Sequence, residues 1–90
     1  MTSSTASGRL TIAIRLFAAY AEAIGRTNVE ISLPPGATVG DLLTEFRRQV
    51  PGASALPDRP LCAVNLAHVL TSHTLRDGDE VAILPPLAGG

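Results

Sequence analysis

The last six residues, Pro85-Pro86-Leu87-Ala88-Gly89-Gly90, carry no charged side chain, so the only charge expected at their tip is the α-carboxylate of Gly90. Two prolines limit the conformations such an arm gives up on docking. Two glycines let a backbone pass where any β-carbon would collide. Extended, six residues reach about 20 Å, enough to leave a globular body and enter a buried site. That design suits a terminus that is itself the reactive group and enters a narrow pocket on another protein. Leu87 is either an anchor in that pocket or a residue folded back on its own sheet. A terminal carboxyl has a reference pKa of ~3.5 and is an anion at neutral pH, so it repels nucleophiles and needs activation before it can react.

The other side chains point to no chemistry of their own. One cysteine and two histidines among 90 residues give neither a disulfide framework nor a ligand set at metal spacing. Cys62 reads as a small core residue of a strand, and His68 and His73 as solvated loop residues. No phosphate loop or catalytic triad is present in the sequence. A net charge of −1 suggests neither nucleic acid nor an anionic membrane as partner. All seven basic residues are arginine, so the chain offers no side-chain amine on which copies of itself could be linked. The Ser/Thr-rich start has no apolar h-region, and no apolar run is long enough to span a membrane, so a cytoplasmic protein is expected.

Ninety residues, 46% of them hydrophobic and 3% aromatic, allow one domain with a core of Leu, Ile, Val and Ala. Residues 1–8 are expected to be a disordered extension, 9–84 the domain and 85–90 the functional tail. Leu10, Ile12, Ile14 and Leu16 alternate with Arg9, Thr11 and Arg15, the period of a half-buried strand. Ala18 to Ile24 fits a short helix closed by Gly25. Val29, Ile31 and Leu33 alternate again, and Pro34-Pro35-Gly36 stops that strand. Thr38 with Asp41 three residues on makes a capping-box start for a helix whose apolar face is Val39, Leu42, Leu43, Phe46 and Val50. Pro51-Gly52 ends it. Ala53 to Arg59 reads as a loop and Leu61 to Leu66 as an interior strand. His68 to Leu70 fits a short edge strand, Asp77-Gly78-Asp79 a tight turn and Glu80 to Leu84 the last strand. One amphipathic helix amid a small mixed sheet is an α+β arrangement, with one face of the sheet covered and the other partly open.

Several stretches resemble a known family. They are Leu16-Phe17-Ala18, Ala21 to Gly25, Gly36 to Leu43, Ala63-Val64-Asn65, Leu75 to Val81 and the tail. Together they resemble the ubiquitin-like sulfur carriers of the MoaD/ThiS type, and most of all the small subunit of molybdopterin synthase. The resemblance implies a β-grasp fold with a mixed sheet of four to five strands on one main helix. It implies that Gly90 is adenylated by a ubiquitin-activating-like adenylyltransferase using ATP. A sulfur donor then displaces AMP to leave a thiocarboxylate. The charged tail enters the molybdopterin synthase large subunit and gives sulfur to a pyranopterin precursor. The chain alone is then a non-catalytic carrier that binds no cofactor.

On this reading Gly89, Ala88, Leu87, Pro86, Pro85 and Phe17 would meet the partner. Phe17 either sits on the open sheet face or caps the core beneath the short helix. Asp77, Asp79 and Glu80 either pair with arginines of an activating enzyme or, for the first two, simply make a turn. The same carrier chemistry can serve thiamin, cysteine or tRNA thiolation. A modifier joined to lysines and a non-covalent β-grasp module are the readings from other classes.

Overall fold

The computed structural model describes residues 8–57 and 60–85. The alternating segments become β1 (Leu10–Leu16) and β2 (Asn28–Leu33), joined by α1 (Ala18–Ile24). The capped segment becomes α2 (Val39–Gln49), followed by a 3₁₀ turn over Ala53–Ala55 inside the expected loop. β3 (Leu61–Val64), β4 (Ala67–Val69) and β5 (Glu80–Leu84) complete the chain order. The five strands form one sheet in the order β2-β1-β5-β3-β4. β5 lies at the centre, parallel to β1 and antiparallel to β3. This is the β-grasp α+β arrangement that the sequence leads one to expect.

Register decides which residues share a face, because successive side chains of a strand alternate. Ile14 pairs with Val29 on one side and Val81 on the other, and Val81 pairs with Val64. Leu16 pairs with Ile83, and Ile83 with Cys62. These two rows point to α2, which buries Val39, Leu42, Leu43 and Phe46 against them. The Thr38 side chain accepts from the Asp41 N–H at 3.2 Å, and the Asp41 carboxylate accepts from the Thr38 N–H at 2.9 Å. Such a cap is worth about 1 kcal/mol.

The segment after β4 also closes the start of α2. The N–H groups of Val39 and Gly40 donate to the carbonyls of His73 and Thr71 at 3.0 and 2.9 Å. A β-carbon on Gly40 would lie 3.4 Å from that Thr71 oxygen, in close contact with the closing segment.

The sequence reading of β3 as Leu61 to Leu66 is too long. The strand ends at Val64, and Asn65-Leu66 form a two-residue turn into β4 with φ of 49° and 75°. The apolar run continues through Leu66, but its backbone does not.

Gly52 follows α2 at φ +91°, and a β-carbon there would lie 2.9 Å from the backbone oxygen of Ala23. The tight turn lets the 3₁₀ segment pack beside α1. Gly52→Ala is therefore expected to cost at least about 1–2 kcal/mol from the left-handed backbone alone. In a domain of this size that lowers the thermal midpoint by roughly 5–10 °C. An unchanged midpoint in a calorimetric scan would contradict this account of the turn.

Candidate functional site

The candidate site is built on the exit of β5. Val81 and Ile83 are fully buried, and the strand is paired along both edges. A strand tied on two sides is the most rigid place in the sheet from which to launch an arm, since fraying it would break two ladders at once. Pro85, partly buried, is the first residue past β5. Pro86, Leu87, Ala88, Gly89 and Gly90, all singled out in the sequence, lie outside the described residues.

The face of the sheet away from α2 adjoins this exit. Leu84 pairs with Leu61. Phe17 follows Leu16, the partner of Ile83, and Leu70 follows Val69, the partner of Cys62. Phe17, Leu84, Leu61 and Leu70 therefore stand in one row across four strands of the open face. Phe17 is 39% exposed, Leu61 44% and Leu70 78%. A cleft of about 430 Å³ between Leu61 and Leu70, lined also by Pro60, Cys62, His68, Val69 and Thr71, continues this row toward the sheet edge.

The two places open to Phe17 in the sequence are thereby distinguished. It lies on the open face, with the Arg15 guanidinium 5.8 Å from its ring centroid, and outside the buried core cluster. The next row is small and polar: His68, Ala63, Ala82 and Arg15. His68 thus belongs to an edge strand rather than a loop.

The carboxylates near the last turn have structural work. Asp77 accepts from the Thr11 N–H at 2.7 Å. Asp79 accepts from the Asn65 amide at 3.0 Å and from the Arg76 N–H at 2.8 Å. Glu80 pairs with Arg15 at 3.6 Å, both half exposed. The Asn65 side chain joins the β3–β4 turn to the start of β5, a link that sequence reasoning missed. An Asn-Gly pair would have signalled that turn, but Leu66 stands where glycine is usual.

Among the described residues no group of three His, Cys, Asp or Glu side chains could hold a metal ion. No helix among them is long and apolar enough to cross a membrane. Cys62 is 4% exposed, and burial pushes its thiol up, opposed by the nearby Arg47 charge. A raised thiol pKa and little access mean little thiolate. Alkylation by iodoacetamide at neutral pH is expected to be slow in native protein and complete in urea; rapid native labelling would contradict the buried placement.

The model of the ThiS family matches residues 14–90, from inside β1 through the tail. The chain belongs to the ThiS family. Its relatives include the molybdopterin synthase sulfur carrier subunit of Chlamydomonas reinhardtii, 35% identical over 81 residues, which cover 88% of this chain and 98% of that one. Among solved structures, the small archaeal modifier protein 1 of Haloferax volcanii superposes with a TM-score of 0.79 at 27% identity, covering 87% of this ThiS family chain and 99% of that one. A structure of the complex of subunits 1 and 2 of the Helicobacter pylori molybdopterin-converting factor shares the fold, with a TM-score of 0.65 at 22% identity over 90% of this chain and 100% of that one.

Proposed function

We propose that this ThiS family chain is the sulfur-carrier subunit of a molybdopterin synthase, with Gly90 as the atom-carrying residue. The observation that carries the reading is a family match extending to a Gly-Gly tail that issues from a doubly paired central strand. A carboxylate oxygen of Gly90 attacks the α-phosphate of ATP on an adenylyltransferase of the ubiquitin-activating type, and pyrophosphate leaves. A sulfur donor then attacks the acyl carbon and AMP leaves, giving the thiocarboxylate. The loaded tail, Pro85 through Gly90, enters the large subunit of the synthase, where its sulfur passes to a pyranopterin precursor.

Catalytic groups and the ATP site belong to the partners, and this chain supplies a positioned acyl group. Phe17 and its row on the open face would lie against the subunit that takes up the tail. The absence of a charge bias fits partners that are proteins rather than nucleic acids or membranes. Work in the cytoplasm, with residues 1–8 as an extension outside the domain, belongs to the same proposal.

Reconstitution tests it: thiocarboxylated protein, the large subunit and the cyclic pyranopterin monophosphate should yield molybdopterin, with two loaded chains consumed for the two sulfurs of each dithiolene formed. No product from a loaded carrier would point to another sulfur acceptor. A protein-modifier role is the second reading, supported by the likeness to small archaeal modifier protein 1. Covalent adducts of higher mass on an immunoblot, dependent on Gly90, would favour it.

A further inference from the structure

We propose that Leu66, at the tip of the β3–β4 turn, is an anchor for the synthase large subunit, its side chain entering an apolar pocket there; this rests on the function proposed above. Leu66 is 92% exposed, the most exposed large hydrophobic residue among those described. It is also held at φ +75°, where a β-carbon is strained and glycine or asparagine is favoured. At that exposure the side chain buries almost nothing against the described residues to offset the conformation. An unfavourable backbone that displays a bare leucine points to a use for the side chain outside the fold.

The turn is also stiff. The Asn65 amide donates to Asp79 at 3.0 Å, its carbonyl accepts from the Glu80 N–H at 3.1 Å, and the Asn65 N–H donates to the Glu80 carbonyl at 2.9 Å. A side chain presented from a pinned turn loses little freedom on docking. The edge behind it, the three-residue β4, has no charge to guard it, since residues 66–75 contain no Asp, Glu, Lys or Arg. Edge strands of solitary proteins are usually blunted by charge or proline. The opposite edge, β2, has Glu30, the Arg9–Ser32 hydrogen bonds and Pro34 at its end.

Two proteins take in the tail, and the large subunit is the standing partner, since relatives of this chain are named as subunits of a synthase. A protein that takes in the five residues after Pro85 meets the sheet where the Phe17–Leu84–Leu61–Leu70 row adjoins the exit. From Leu70, Leu66 lies about 13 Å along the edge strand. A standard interface of ~800 Å² per partner is roughly 28 Å across, so a footprint centred on this row is wide enough to take in both the exit and Leu66.

The test uses the full-length untagged chain with Leu66→Gly and Leu66→Asn, and Glu30→Ala on the far edge as control. Both Leu66 variants are expected to unfold at the wild-type temperature or above it. They should bind the purified large subunit at least about tenfold more weakly, as burial of a leucine side chain implies, while Glu30→Ala binds as wild type. Leu66→Gly binding within about twofold of wild type would overturn the proposal alone. So would a clear loss of stability in both variants, because Leu66 would then serve its own fold. A wild-type dimer dispersed by Leu66→Gly in sedimentation, with large-subunit binding unchanged, would make a second copy the occupant and overturn the assignment. Failure of the wild type itself to bind the large subunit would remove the function proposed above, and this inference with it.

Discussion

Deleting Gly90 is expected to abolish sulfur loading and transfer while leaving the thermal unfolding midpoint unchanged. In the proposed function the chemistry sits on the last carbonyl carbon, and a chain ending at Gly89 would place its carboxylate about 3.5 Å short of the partner's reacting groups. Near-attack geometry requires reacting atoms at about 3–3.5 Å, and a misplacement of only ~1 Å can cost a hundredfold in rate. Stability should not change, because among the described residues the buried core runs from Ile12 to Ile83. A truncated chain that still loads sulfur, followed by mass spectrometry and by product formation with the large subunit, would sink the proposed chemistry.

Phe46→Ala should have the opposite signature, a large loss of stability with the chemistry intact in whatever fraction stays folded. Phe46 is fully buried at the centre of the α2 face, and the chain's other phenylalanine, Phe17, is on the open face. Truncating a buried phenylalanine typically costs 3–5 kcal/mol, because a cavity remains where aliphatic neighbours cannot collapse. Against a total of roughly 5–15 kcal/mol for a small domain, that is a third or more of what holds it together. Urea titration should show a much lower midpoint with a similar slope. A cost below about 1 kcal/mol would mean that the α2–sheet interface is far less tightly packed than its burial indicates.

The two variants separate what the chain uses for folding from what it offers its partners, and those parts were not equally readable. β1, β2 and α2 were legible because their patterns are local: a period of two in Leu10 to Leu16, and a Thr38–Asp41 box ahead of a helical stripe. The end of β3 was not. Hydrophobicity continues through Leu66, whereas the turn is set by Asn65 and its bonds to Asp79 and Glu80, some 15 residues away in sequence. The closure of α2 by the carbonyls of Thr71 and His73 is made by backbone groups and leaves no side-chain signature.

The candidate site divides in the same way. The tail was conspicuous in composition alone. The open-face row of Phe17, Leu84, Leu61 and Leu70 exists only once strands distant in sequence are set in register, as when β1 pairs in parallel with β5. Parallel pairing of the first and last strands is a tertiary outcome that no short pattern encodes. Leu66 shows a third case, in which a residue breaking the local turn rule becomes informative after the backbone is known.

Intact-mass spectrometry of the untagged chain, incubated with ATP, its adenylyltransferase and a sulfur source, decides whether Gly90 carries sulfur. The account predicts a gain equal to the exchange of one oxygen for one sulfur, mapped by fragmentation to Gly90. An unchanged mass, with the same adenylyltransferase shown to be active on another carrier, would contradict it and leave a β-grasp module that works without covalent chemistry.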